Sequence, residues 1–202
     1  MSVLSMTPSQ SIASAVLGGG KQSLTNNILL VLAGSVLIAL SAQIAIPVAG
    51  SPVPATGQTF GVLLVGMALG SRRGALAVIA YLLEGAMGAP VFALGTSAPA
   101  LVGPTAGYLY GFVPAAFVVG YLAEKGWDRN PVSTALAMLA GNILLYVPGL
   151  IWLGLMIGTT PSKTLAIGFI PYAGVDIAKL ILAAAMMPLA WKFLGGKSLG
   201  KK

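Results

Sequence analysis

The chain has 202 residues, of which 57% are hydrophobic and only 7% are charged, and its formal net charge is +7. Soluble domains carry about 25% charged residues, so this composition predicts an integral membrane protein whose main solvent is the lipid bilayer. The absence of cysteine and histidine excludes disulfides, thiolate chemistry and the usual zinc, haem and iron–sulfur sites. The basic excess is typical of the cytoplasmic side of membrane proteins rather than of nucleic-acid binding.

The chain begins with a segment, residues 1–25, that lacks the basic start and long apolar core of a signal peptide, and we interpret it as a loose cytoplasmic tail. A spanning helix needs about 20 apolar residues, because the hydrocarbon layer is about 30 Å thick. The sequence predicts an all-α domain over 26–194 with six such segments, followed by a basic cytoplasmic tail over 195–202. The segments are 26–45, 58–70, 74–90, 104–123, 133–154 and 171–194.

The basic residues predict how these helices are oriented. With six crossings, nine lysines and arginines fall on one side and Lys163 alone falls on the other. Basic residues favour the cytoplasmic side, so we expect a multi-pass protein of the cytoplasmic membrane with both termini in the cytoplasm. The nine are Lys21, Arg72, Arg73, Lys125, Arg129, Lys192, Lys197, Lys201 and Lys202.

Two connecting loops are unusual because they carry no charge. They are "IAIPVAGSPVPATG" at 44–57 and "PVFALGTSAPALVGP" at 90–104. Proline lowers the entropy lost on ordering, and irregular backbone is tolerated near a membrane where it is buried or lines a cavity. We therefore predict that both loops are packed lids over an outward-facing pocket, although short linkers resting on the interface are an alternative.

Turns and glycines punctuate the remaining chain. The second and third segments are separated only by Ser71-Arg72-Arg73-Gly74, which reads as a tight basic turn. Gly103, Gly107 and Gly111 recur every four residues, a spacing that lets helix backbones approach closely. "EKGWDRNP" at 124–131 reads as a solvated cytoplasmic turn in which ion pairs contribute little.

The sequence offers few side chains that could act in catalysis. With four acids and no histidine or cysteine, there is no nucleophile–base pair, and we expect no enzyme and no cofactor. "GGGKQ" at 18–22 and "GGKS" at 195–198 lack the spacing of a phosphate-binding loop, so the chain has no ATPase of its own. Glu84, in the third segment, either lines a pocket within the membrane or reaches the headgroups.

One pair of charges stands inside an apolar segment. Asp176 and Lys179 lie three apart in "AGVDIAKLILAAAMM" at 173–187, and each charge at a helix centre costs about 2.5–3.5 kcal/mol on insertion scales. Residues i and i+3 share a helix face, so the two charges can neutralise each other. They either lock helices together or bind a small polar ligand, with aspartate accepting from N–H and lysine donating to a carbonyl or carboxylate.

The sequence resembles the BioY family over roughly residues 26–194. The resemblance rests on "SAQIAIPVAGSPVPATGQTFGVLLVGMALGSRRGALAVIAYLLEGAMGAPVF" at 41–92, "LVGPTAGYLYGF" at 101–112 and "VDIAK" at 175–179. BioY proteins are the biotin-binding S components of energy-coupling factor transporters. The resemblance implies a six-helix S-component fold, biotin capture, and a partner module with a transmembrane T component and two cytoplasmic ATPases.

The resemblance also implies roles for individual residues. Asp176 and Lys179 fall on the family's biotin-contacting aspartate and lysine, Gln58 on a glutamine at the start of helix two, and Tyr108 on the tyrosine of "GPTAGY". Some members have an asparagine in the loop after "PVF", where Thr96 is the nearest polar substitute. Helical placement alone adds three pocket candidates on the fifth segment, Asn142, Tyr146 and Trp152.

Partners follow from the same resemblance. S components of this type meet their T component through small residues on the first helix, often alanines four apart, and Ser35 and Ala39 are a near match. Biotin, with two ureido N–H groups, an apolar ring and a carboxylate, suits an apolar pocket with few polar groups. Another small vitamin, or a structural protein in which Asp176 and Lys179 only lock helices, stays an alternative. A homo-oligomer is left open.

Overall fold

The computed structural model describes residues 10–18 and 22–199, with side chains described as far as residue 194. Predictions made for Lys21, Lys201 and Lys202 lie outside the described residues, as does the side chain of Lys197. The described chain is mostly α-helical, in agreement with the predicted all-α class.

Eight α-helices form the described chain. They are α1 (Ile12–Val16), α2 (Leu24–Ala42), α3 (Gln58–Leu69), α4 (Ser71–Ala86), α5 (Ala106–Glu124), α6 (Pro131–Ile157), α7 (Pro161–Gly168) and α8 (Ile170–Leu199). Two short strands, β1 (Ala45–Ile46) and β2 (Ala55–Thr56), pair antiparallel inside the loop between α2 and α3. Single 3-10 turns occupy Ala93–Gly95, Ala98–Leu101 and Trp127–Arg129.

Four helices within the described residues are long and apolar enough to cross a membrane. They are α2, α5, α6 and the part of α8 over Ile170–Leu194. The other two predicted segments form shorter helices, α3 with 12 residues and α4 with 16. Every predicted segment thus corresponds to a helix, and the protein is a multi-pass membrane protein.

The prediction of a four-residue turn between α3 and α4 is wrong, because the chain reverses at one residue. Gly70 has φ +88° and α4 begins at Ser71; a residue other than glycine would be strained at that φ. The Ser71 backbone N–H donates to Glu124 Oε1 over 2.8 Å. A carboxylate at a helix N-terminus satisfies an unpaired N–H and favours the helix dipole, so Arg72 and Arg73 belong to α4.

The α5–α6 connection is not the solvated turn that the sequence predicts. Asp128 is fully buried and its Oδ2 accepts from Trp191 Nε1 of α8 over 2.5 Å. The Arg129 guanidinium lies over the Trp191 ring, 4.6 Å from its centroid. Burial raises the pKa of Asp128 above its ordinary value. The apparent surface charges therefore tie the α5–α6 connection to α8.

Residues 12–16, within the predicted loose tail, form the short helix α1. Ser11 caps α1 by accepting from the Ser14 backbone N–H at 3.4 Å. Arg73 donates to Ser14 Oγ at 3.0 Å and to Asn27 Oδ1 at 2.8 Å, so one guanidinium joins α1, α2 and α4. These contacts hold residues 12–16 against the basic end of the bundle.

Glycines bring α5 and α6 into backbone contact, as the four-residue spacing predicts. A Cβ on Gly107 would lie 2.5 Å from the Pro148 carbonyl oxygen, and one on Gly111 would lie 2.8 Å from Leu145 Cα. Real Cβ atoms do not approach that closely, so larger residues are excluded at both positions. This close approach places Tyr108 of α5 beside α6, at the edge of a cavity.

Candidate functional site

A cavity of about 460 Å³ lies at the end of the bundle opposite Arg72 and Arg73, where α3, α5, α6 and α8 meet two long loops. Its volume falls within the range of about 300–1,000 Å³ that is usual for small-molecule sites. Residues 52–56 of the first loop and 92–105 of the second line it, together with helix side chains.

Side chains from the helices hold both loops in place at the cavity. The Tyr172 hydroxyl of α8 is hydrogen-bonded to the Val53 carbonyl oxygen at 2.5 Å and to Ser51 Oγ at 2.8 Å. Gln43 Nε2 donates to the carbonyl oxygens of Val91 and Phe92, each at 3.3 Å. The loop backbones therefore have fixed partners on α8 and at the end of α2.

The polar part of the cavity is a chain of four side chains from three helices. Lys179 Nζ donates to Asp176 Oδ1 at 2.9 Å and to Thr59 Oγ1 at 2.8 Å. The Tyr146 hydroxyl donates to Asp176 Oδ2 at 2.5 Å. The Asp176 and Lys179 side chains are only 9% and 17% exposed. The pair is neutral overall and presents one acceptor and one donor group to the cavity.

Aromatic rings form the wall around this cluster. The Tyr108 hydroxyl donates to the Gly168 carbonyl oxygen at 3.0 Å, which leaves its ring edge-to-face with Tyr146 at 5.8 Å between centroids. Tyr146 in turn meets Phe169 at 5.0 Å. Edge-to-face rings are favourable contacts with little freedom, so they fix the direction of the Tyr146 hydroxyl.

Gln58 lies in the cavity lining at the start of α3, where the resemblance placed it. Its Nε2 donates to the Tyr81 hydroxyl at 2.6 Å, and that hydroxyl donates to the Val91 carbonyl oxygen at 3.1 Å. Gln58 therefore also supports the second loop. Phe92 of that loop packs edge-to-face on Tyr81 with 5.1 Å between centroids.

Thr96 lies at the rim of the cavity, exposed, and its Oγ1 donates to the Ala93 carbonyl oxygen at 2.9 Å. The neighbouring Leu94 has φ +58°, the one positive φ of a non-glycine residue in the described chain. A left-handed conformation costs a residue with a Cβ about 1–2 kcal/mol, so this short turn of the second loop is strained.

The structure does not bring three of the predicted pocket residues into the cavity. Glu84 lies between α4 and α2, where it accepts from Ser35 Oγ at 2.8 Å. Trp152 donates to the Gly103 carbonyl oxygen at 2.9 Å and supports the loop from outside. Asn142 lines a separate crevice between α6 and α8. Helical placement named the right helices, but it could not say which neighbour each face meets.

The predicted partner contact on α2 is half wrong. Ser35 is fully buried, because its hydroxyl reaches Glu84 inside the bundle. A fully buried side chain has no surface to offer a second protein. Ala39, one turn further, is half-buried and stays available as a contact residue.

Sequence reasoning missed two residues that build the site. Thr59 binds Lys179, and Tyr172 binds the first loop. Tyr172 stands four residues before Asp176 and so shares its helix face, and Thr59 directly follows Gln58 at the start of α3. Both residues could therefore have been predicted from their positions next to Asp176 and Gln58. Among the described residues no group of three acidic, histidine or cysteine side chains could hold a metal.

Comparisons with known proteins agree on one family. The family model described as "BioY family" matches residues 9–196. "Biotin transporter BioY" of Thermotoga maritima is 43% identical over 150 residues, covering 73% of this chain and 85% of the relative. The namesake from Rhizobium etli is 34% identical, covering 79% of this chain and 89% of the relative.

The fold also matches a solved structure. It is the 2.1 Å crystal structure of the S-component for biotin from an ECF-type ABC transporter, with a TM-score of 0.74 at 22% identity, covering 85% of this chain and 95% of that one. At that identity the match establishes the shared fold alone. With a family model spanning nearly the whole chain and relatives above 30% identity, the chain belongs to the BioY family.

Proposed function

We propose that this chain is the biotin-binding subunit of a vitamin uptake transporter, and that it delivers biotin across the cytoplasmic membrane with an ATP-driven partner module. Its family membership and the names of its relatives support this assignment. The observation that carries it is the pair Asp176–Lys179 in an otherwise apolar, aromatic-walled cavity. The chain itself has no phosphate-binding loop, so the energy comes from the partner.

The chemistry of the cavity suits biotin. The Asp176 carboxylate accepts a ureido N–H, and Lys179 donates to a carbonyl or carboxylate oxygen of the ligand. The apolar ring and valeryl chain lie against the side chains of Tyr108 and Phe112, which line the cavity. Because Asp176 and Lys179 neutralise each other, a ligand can bind them without first exposing an unpaired charge.

The membrane arrangement is part of the same proposal. All six helices from α2 to α6 and α8 cross the bilayer, with α3 and α4 completed by the adjoining loops. The loops over 44–57 and 88–105 cover the cavity on the outer side. The basic end, with Arg72, Arg73 and Lys192, faces the cytoplasm together with both termini. The lysine and arginine distribution supports this orientation.

The T component is proposed to bind the outer face of α2. Only 17% of the most apolar stretch of α2 is buried inside the bundle, so most of its surface is open to another helix. Ala33 is exposed and Ala39 is half-buried on this helix, and small residues allow close helix approach. Two cytoplasmic ATPases would complete the module.

Calorimetric titration of the detergent-solubilised protein tests the function. Biotin should bind with 1:1 stoichiometry and raise the melting temperature, and riboflavin and thiamine, added as controls, should do neither. Binding of another vitamin in place of biotin would keep the S-component role and change the substrate. If no ligand in such a panel binds or stabilises the protein, the capture function fails.

A structural role for the pair is the second candidate. It is favoured by one observation: each oxygen of Asp176 already has an internal partner, Lys179 or Tyr146. A closed network of this kind joins α3, α6 and α8 without any ligand. The two roles differ in whether binding of biotin depends on the pair.

A further inference from the structure

A second hollow lies directly behind the ligand cavity. It is a crevice of about 340 Å³ on the outer side of the bundle between α6, α7 and α8. Tyr146 and Asp176 line both the cavity and the crevice. These two side chains and the hydrogen bond between them therefore form the partition between the two spaces.

The crevice is apolar except for Asn142, Tyr146 and Asp176. Asn142 is only 8% exposed, and within the part of the chain that the structure describes its side chain makes no hydrogen bond. Its remaining surface faces the crevice. Its amide opens into an apolar crevice on a membrane-spanning helix, where no bulk water supplies hydrogen-bond partners. An amide in this position needs an explanation.

The candidate partner on the same helix is Tyr146. It follows Asn142 by four residues on α6, so the two side chains share a helix face. Long helical side chains lean toward the N-terminal turn, which places the Tyr146 ring over the turn that carries Asn142. In the structure the Tyr146 hydroxyl donates its proton to Asp176 Oδ2. Asn142 therefore has a neighbour whose only donor is engaged.

We propose that Asn142 is a positioning residue which accepts the Tyr146 hydroxyl when a ligand takes Asp176. This rests on the proposed function, in which a ligand N–H donates to the Asp176 carboxylate. The ligand N–H then replaces the Tyr146 O–H on Oδ2, and the Tyr146 O–H turns to the side-chain oxygen of Asn142. Lys179 keeps Oδ1 throughout.

The test is the effect of Asn142→Leu on biotin affinity in two backgrounds. Without its replacement acceptor, the displaced Tyr146 hydroxyl stays unpaired, so affinity should fall about tenfold, the factor that corresponds to one hydrogen bond of about 1.4 kcal/mol. In the Tyr146→Phe background there is no hydroxyl to accept, and Asn142→Leu should change affinity by less than about twofold. Such non-additivity is the signature of residues that act through each other.

Two further variants separate positioning from packing. Asn142→Gln retains an amide acceptor and should restore most of the affinity, whereas Ile143→Val changes the lining of the same crevice without a polar group and should leave affinity unchanged. The unliganded melting temperature of Asn142→Leu should stay level or rise, because the variant removes an unpaired amide.

Several results of these titrations would contradict the role of Asn142. The inference is overturned if wild type binds biotin and Asn142→Leu binds it equally well. It is also overturned if Asn142→Leu lowers affinity by the same factor with and without the Tyr146 hydroxyl, because Asn142 then only packs. An Asn142→Leu protein that does not fold would equally contradict it, because an unpaired amide cannot be needed for folding. If wild type itself binds no biotin, the proposed function fails first and takes the inference with it.

Discussion

At the scale of single residues, Asp176 and Lys179 in α8 stand out from the sequence alone because a charge within a membrane is costly, and both line the cavity. Their partners do not stand out in this way, because Thr59 and Tyr146 lie far away in sequence and are joined only by packing. The same limit explains the misplacement of Glu84: a helical pattern cannot tell a cavity-facing carboxylate from one that accepts from Ser35 on a neighbouring helix.

Asp128 supports a pH prediction. Burial raises its pKa above 3.8 in the folded protein, so between 3.8 and the raised value the folded state holds more protons than the unfolded state. The stability that the buried neutral carboxyl contributes is therefore fully present when the pH is below 3.8, and it is lost as pH rises through the raised pKa. Asp128→Asn keeps an oxygen to accept from Trp191 but carries no charge. The variant should gain melting temperature relative to wild type as pH rises.

Thermal unfolding of the detergent-solubilised proteins between about pH 4 and about pH 8 measures this difference. Glu124→Gln is the matched control, because it removes a carboxylate at the same end of the bundle that caps α4 by hydrogen bonds; it should lose stability at neutral pH. If the difference in melting temperature between Asp128→Asn and wild type does not change across the pH range, burial of Asp128 does not set its protonation.

At the scale of elements, the apolar runs located every long helix to within a few residues, since about 20 apolar residues leave little choice in a bilayer. The helix α7 and the hairpin β1–β2 were missed because both lie in loops whose composition carries no strong periodicity. The turn at Gly70 was misjudged because the residue that caps it, Glu124, lies on another helix. Local sequence does not contain that partner.

The α5–α6 contact gives a prediction at this scale. Gly107→Ala places a Cβ against the Pro148 carbonyl oxygen, so the helices must separate, at a cost of about 1–3 kcal/mol. Because Tyr108 follows directly, biotin affinity should fall as well. Gly174→Ala is the control, since a Cβ at Gly174 meets nothing within 4 Å and alanine is better than glycine in a helix by about 0.5–1 kcal/mol.

Melting temperatures and biotin titrations of both variants check the prediction. The expected order of stability is Gly174→Ala at or above wild type, and Gly107→Ala clearly below. Equal stability of the two variants would mean that α5 and α6 do not rely on backbone contact at Gly107.

At the scale of the whole molecule, the basic residues described at the end opposite the cavity define the proposed orientation. Two exposed lysines, Lys125 after α5 and Lys163 in α7, mark the two sides. Because the chain has no cysteine, Lys125→Cys and Lys163→Cys introduce unique labels. In intact cells an impermeant maleimide should label position 163 and reach position 125 only after permeabilisation. The reverse pattern would invert the topology and place the cavity in the cytoplasm.

The central question for this protein is whether Asp176 and Lys179 bind the ligand or only join helices. The double variant Asp176→Asn with Lys179→Met removes both charges together. It therefore avoids leaving one buried charge without its partner, which would cost about 3–5 kcal/mol of stability.

Calorimetric titration of this double variant with biotin is the most direct measurement, with its melting temperature as the check on folding. We predict a folded protein whose affinity for biotin is at least about tenfold weaker than that of wild type, because each lost hydrogen bond to a charged group contributes about 1.5–3 kcal/mol. A folded double variant that binds biotin as tightly as wild type would remove the pair from the binding site.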